Sequence, residues 1–192
     1  MKKLNALPVV SASLLLSLLT VACTQSNKSN PVTLSPTGLS VTTLESTNAT
    51  ELSFGDSMTD VSTTLEAVLG ESVGRIEDTE CGLLLNAWED NLMTVEKDNQ
   101  FVGWAVQRSD SGSTYTTADG LGIGSTRKQL EAISELESKK EGDHSEFETA
   151  NGYKGGLNGG TPDAVIYTFS AGESCENPDY PWPQPHTVSL FN

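Results

Sequence analysis

One serine in this chain has the neighbours of a nucleophile. Phe54-Gly55-Asp56-Ser57-Met58-Thr59-Asp60 puts Ser57 just after the apolar-x-apolar-Gly run that starts at Leu52, where a strand or loop turns sharply into a helix. A serine hydroxyl attacks an ester when a histidine takes its proton and a carboxylate orients that histidine. The chain has two histidines. His144 has Asp143 beside it and Glu141 three residues before it, and His186 follows Pro183-Gln184-Pro185. Residues that could hold a metal are sparser. Two separated histidines give no zinc spacing. Asp56, Asp60, Glu77, Asp78 and Glu80 offer oxygens but form no Asp-x-Asp-x-Asp-Gly calcium loop, so they read as solvated surface charge. Gly155-Gly156 and Gly159-Gly160 are followed by no Lys-Ser or Lys-Thr and make no phosphate cradle. No metal and no cofactor are expected.

The block around Ser57 is similar to the nucleophile block of the GDSL, or SGNH, hydrolases. The resemblance implies an esterase with Ser57 as nucleophile. That family also carries a later Gly-Asn-Asp-like block for the oxyanion hole and an Asp-x-x-His near the C-terminus, and this chain has neither. A simpler account treats Asp56 and Ser57 as turn and cap residues, because the phrase returns. Leu52 to Val61 is echoed by Leu121-Gly122-Ile123-Gly124-Ser125-Thr126-Arg127-Lys128-Gln129-Leu130. Ser57 with Asp60, and Thr126 with Gln129, each fit an N-cap and N3 capping box. Val61, Leu65, Val68 and Leu69 then fall on one helical face, with Gly70 as the stop. Leu130, Ile133 and Leu136 continue the second copy. The reading is an internal duplication; the alternative is two unrelated helix starts.

The elements that follow each copy set the expected fold. Val73 to Trp88 reads as a strand around Leu83-Leu84-Leu85. Leu92 to Lys97 and Phe101 to Gln107 read as a hairpin across Asp98-Asn99. Ser109 to Thr117 is a polar linker, and Glu135 to Glu146 is an exposed helix end or loop. Phe147 to Tyr153 and Val165 to Phe169 are strands separated by the Gly-rich Lys154 to Gly160. The predicted fold class is α+β, a tandem repeat of two helix-plus-antiparallel-sheet units at about 51–110 and 118–175. Trp104 alternates with Val102 and Val106 and is assigned to the core. Trp182, in the tail 176–192 with Pro178, Pro181, Pro183 and Pro185, is the better binding anchor.

Residues 1–22 read as an export signal. Lys2 and Lys3 precede the short apolar stretch Val9 to Val21. Leu19-Thr20-Val21-Ala22-Cys23 resembles the bacterial lipoprotein box, which implies lipidation of Cys23 as the mature N-terminus. Ordinary cleavage after Ala22 is the alternative. Residues 23–50, rich in Ser, Thr, Asn and Pro, read as a disordered, lipid-anchored tether. Export places Cys81 and Cys175 in an oxidising compartment, where a disulfide is expected; two reduced core cysteines are the alternative.

Three phrases together resemble an uncharacterised family of secreted or lipid-anchored bacterial proteins. They are Phe101-Val102-Gly103-Trp104, Thr117-Ala118-Asp119-Gly120-Leu121-Gly122-Ile123-Gly124-Ser125-Thr126, and Ala171-Gly172-Glu173-Ser174-Cys175. The unit order also looks like the tandem repeats of beta-lactamase-inhibitor proteins and the single unit of outer-membrane assembly lipoproteins. That likeness implies protein binding. Acidic residues outnumber basic ones 26 to 11, for a net charge of −15. Such a surface disfavours nucleic acid and electrostatic attachment to anionic lipid. The expected protein is a non-enzymatic envelope lipoprotein that binds or inhibits an envelope or extracellular protein, with a structural or assembly role and a Ser57 esterase as alternatives. Cys23→Ser should move the protein from the membrane to the soluble fraction on ultracentrifugation; retention in the membrane pellet would refute the anchor.

Overall fold

The computed structural model describes residues 30–43, 48–79, 81–108, 113–141 and 144–174. The chain begins there with a hairpin of β1 (Val32–Ser35) and β2 (Gly38–Val41), to which β3 (Thr50–Ser53) adds. Helix α1 (Met58–Leu69) follows, then an antiparallel meander of β4 (Gly74–Asp78), β5 (Leu83–Ala87), β6 (Leu92–Lys97) and β7 (Gln100–Gln107). The two-residue β8 (Thr116–Thr117) returns to pair in parallel with β1. After α2 (Arg127–Glu131) comes a second meander of β9 (Leu136–Glu141), β10 (His144–Thr149), β11 (Tyr153–Leu157) and β12 (Ile166–Gly172). β12 pairs with β7. The result is an eight-stranded sheet, β4-β5-β6-β7-β12-β11-β10-β9, beside a four-stranded sheet, β3-β2-β1-β8.

Local signals account for several elements. In α1, Val61 and Leu65 are buried, and Val68 and Leu69 pack against the same core. Gly70 ends the helix at φ 85, its N–H donating to the Glu66 carbonyl. Asp98 and Asn99 both take positive φ, 51 and 62, the conformation a two-residue I′ hairpin turn requires. Bulges in β7 (opposite Val95 and Glu96) and in β12 (opposite Gly156 and Leu157) shift the registers.

The main core lies between the two sheets. Phe101, Trp104 and Val106 of β7 meet Tyr153, Leu157, Ile166 and Phe169 from the second meander, and α1, α2 and the small sheet close over them. Trp104 is fully buried and its Nε1 donates 2.7 Å to the Ser35 carbonyl in β1, which couples the sheets. Its ring meets Phe169 edge-on at 5.5 Å, and Phe169 lies tilted against Tyr153 at 5.0 Å. Burial, with a smaller push from Asp119, raises the Tyr153 phenol to about 12. Burial also pushes up the Tyr115 phenol, whose hydroxyl donates 2.9 Å to the Glu89 carbonyl.

The tandem α+β arrangement of two helix-plus-sheet units is overturned. The structure is mostly β, 47% strand against 16% helix, with two helices and two sheets among the described residues. One sheet runs across both expected units without a break. The second helix is five residues long because its apolar stripe fails: Ile133 is exposed and Leu136 already begins β9. The charged span Glu135 to Glu146 contains strand pairs instead of a helix end. The first part of the Gly-rich span is itself strand, within β11 (Tyr153–Leu157), and glycine permits the close approach there, since a Cβ on Gly155 would collide with the Thr168 carbonyl and the Phe147 ring. The expected tether is also corrected within 23–50. β1 and β2 lie inside it, and Val32, Leu34, Leu39 and Val41 are core residues. Their apolar alternation is short, and the Ser and Thr between them hid it. The calls on residues 1–22, on Cys23 and on the tail 176–192 lie outside the described residues.

Cys81 sits in the β4–β5 turn and is disulfide-bonded. Cys175, its expected partner, lies outside the described residues. Because the bond closes a long loop whichever partner it takes, Cys81→Ser should cost about 2–4 kcal/mol and lower the melting temperature measured by calorimetry. An unchanged melt would count against the staple.

Candidate functional site

The glycine–aspartate–serine block turns out to be a clamp on the β6–β7 hairpin. Gly55 N–H donates to the Phe101 carbonyl at 2.7 Å, Phe101 N–H to the Asp56 carbonyl at 2.9 Å, and Met58 N–H to the Asn99 carbonyl at 2.9 Å. The Asp56 carboxylate accepts from Ser53 N–H at 2.7 Å. Phe54 packs edge-on to Phe101 at 5.1 Å. Ser57 occupies the N-cap of α1, but its side chain makes no capping hydrogen bond, so the expected Ser57–Asp60 box is absent. The Thr126–Gln129 box is present in both directions.

No esterase dyad forms between Ser57 and His144. Ser57 bridges Gln100, at the start of β7. His144 starts β10, three strands away in the order β7-β12-β11-β10, and lies beyond the row of residues that register with Gln107 at the far end of β7. With strands about 4.8 Å apart and a rise of about 3.3 Å per residue, the backbones are separated by about 14 Å across the sheet and over about 20 Å along it. His186 lies outside the described residues. Among those residues no group of three or more His, Cys, Asp or Glu could hold a metal. Of the acidic candidates, Asp56 caps the clamp, and Asp78 accepts from Cys81 N–H at 3.2 Å. Trp88 is buried, with its Nε1 donating 3.0 Å to Thr94 Oγ1. Trp104 is core, as expected.

The face of the large sheet turned away from the main core carries a group of charged and polar side chains on its β9–β12 half. Register places Glu146 opposite Gly156 and Gly156 opposite Thr168, so these three share that face. Lys154, Ser170 and Glu148 share it one pair further along, and Glu137 faces Glu148 from β9. Glu137, Glu146 and Glu148 are exposed. Glu137 directly opposite Glu148 is a like-charge pair, which destabilises a sheet. Lys154 Nζ offsets part of that charge from 3.8 Å. A shallow recess lined by Glu135, Leu136, Glu137, Glu148, Thr149 and Ala150 opens beside the pair.

An aromatic ring completes the patch. Tyr167 is the residue that the β12 bulge skips in the register with β11. Its ring lies on Gly156, where a Cβ would sit 2.6 Å from Tyr167 Cζ. Any larger residue at 156 would lift the ring. Tyr167 is half-buried, and burial, then the charge of Glu146, raises its phenol above the usual tyrosine range. Sequence reasoning missed this group. The available signal was the alternation Glu146-Phe147-Glu148, which marks a strand with one polar face, but the pairing of Tyr167 with Gly156 spans two strands.

Comparison with protein-family models, with curated proteins and with solved structures gave no match. The geometry of the two caps yields a direct contrast. Thr126→Ala should cost about 1 kcal/mol in urea unfolding, as a working N-cap does, and Ser57→Ala less than about 0.5 kcal/mol. Equal costs would contradict the assignment of the two caps.

Proposed function

We propose that this protein is a non-catalytic binding or inhibitory module of the bacterial envelope, held to a membrane through lipidated Cys23, and that it takes a basic segment of a partner protein on the β10–β12 face. The observation that carries the reading is Tyr167 seated on Gly156 beside Glu146. A half-exposed ring attracts a cationic side chain through its π face, and the neighbouring carboxylates add charge-assisted hydrogen bonds. Glu137 and Glu148, only partly offset by Lys154, would be relieved by a further Lys or Arg from outside. The chain's charge of −15 would steer such a partner in from a distance. The strands carrying these groups belong to a single hydrogen-bonded sheet, so the patch is preorganised.

The test is titration calorimetry with an arginine- and lysine-rich peptide at two salt concentrations. Binding should weaken as salt rises, and the double variant E146K/E148K should lose at least about tenfold in affinity with its melting temperature unchanged. Tyr167→Ala should weaken binding without abolishing the salt dependence. Binding that is indifferent to all three changes would refute the site.

A further inference from the structure

Two Asn-Gly steps flank β11, Asn151-Gly152 before it and Asn158-Gly159 after it. At such a step the backbone nitrogen can attack the side-chain amide of the residue before it, because glycine has no Cβ to block the approach. The structure separates the two. Asn158 is held on both sides by Val165: its N–H donates 3.1 Å to the Val165 carbonyl, and its Oδ1 accepts from Val165 N–H at 2.7 Å. Turning that side-chain carbonyl toward Gly159 breaks a bond to the chain entering β12.

Asn151 sits at the exposed tip of the β10–β11 turn, and its side chain has no hydrogen-bond partner among the described residues. Gly152 follows at φ 95, the left-handed conformation that closes the turn and that glycine adopts without a steric penalty. Asparagine is a favoured turn residue beside it. The labile pair is therefore specified by the turn itself. One local bond restrains it: Gly152 N–H donates 2.9 Å to the Thr149 carbonyl. The strands below are joined separately, because Thr149 Oγ1 accepts from Tyr153 N–H at 2.8 Å and donates 3.1 Å to the Tyr153 carbonyl. The tip can open while β10 and β11 stay paired, and such local opening costs far less than parting strands.

We propose that Asn151 is a site of spontaneous deamidation and that the fold protects Asn158 from the same reaction. The Gly152 nitrogen gives its proton to solvent and bonds Asn151 Cγ, and the side-chain nitrogen leaves as ammonia. Water then opens the resulting succinimide at either carbonyl, giving aspartate or isoaspartate. Either product adds a carboxylate next to Ala150, at the rim of the recess that Glu135, Glu137 and Glu148 already line. The modification does not depend on what the β10–β12 face binds. Peptide mass spectrometry on the full chain tests it, with one sample kept folded at mildly alkaline pH and a second kept in urea. Trypsin cuts after Lys154, so the two steps fall in different peptides. In urea both should convert at similar rates. In the folded chain Asn151 should convert at least about fivefold faster than Asn158, whose bonds to Val165 must open first. Asn151→Gln should remove the product from the 141–154 peptide. Equal rates in the folded chain, earlier conversion of Asn158, or an unchanged Asn151 while the urea sample converts would each overturn the proposal.

Discussion

The structure depends on one indole. Trp104 sits in the middle of β7, where the two meanders meet, and it is paired with Thr94 on one side and Ala171 on the other. Its ring fills the space between the sheets, and its N–H finds an acceptor in Ser35 of the small sheet. A buried indole N–H without a partner would cost about 1–3 kcal/mol, so the small sheet must bring that carbonyl to the indole. The register of β1, the position of the β1–β2 turn and the placing of the Phe169 and Tyr153 rings are all constrained by this side chain.

Around that centre the large sheet changes character from strand to strand. β6 and β7 are buried on both faces through most of their length, as interior strands are. Toward β10 and β9 the outer face becomes charged. At the other edge, buried Glu96 is satisfied by Arg75 at 3.2 Å and by Asn86 at 3.3 Å. Both outermost strands, β4 and β9, carry charged residues, which discourages edge-to-edge pairing with another chain.

Much of the first meander was legible. The α1 stripe, its Gly70 stop and the Asp98-Asn99 turn are local, and each is specified by residues a few positions apart. The second half was less legible. β9 has few apolar residues, and two of the five residues of β11 are glycine, so neither shows a hydrophobic period. β1 and β2 are four residues each and lie in a Ser- and Thr-rich stretch that resembles a tether. Ser57 shows the opposite failure. Its neighbours copy a catalytic motif, but the backbone of Gly55, Asp56 and Met58 is spent on holding a hairpin.

By itself, the sequence determined the acidic surface, the α1 stripe with its Gly70 stop, the Asp98-Asn99 turn, the working Thr126 cap and the placing of Trp104 in the core. These follow from charge, from the preference of each residue for its own φ and ψ, and from periodicity within a dozen residues. Tertiary structure alone decided that both meanders share one sheet, that residues 32–41 belong to the fold, and that Tyr167 rests on Gly156 beside Glu146. Those outcomes depend on which strands pair and in which register. Pairing is settled by burial of apolar area across residues distant in the chain, and a bulge that moves the register by one residue moves a side chain to the other face.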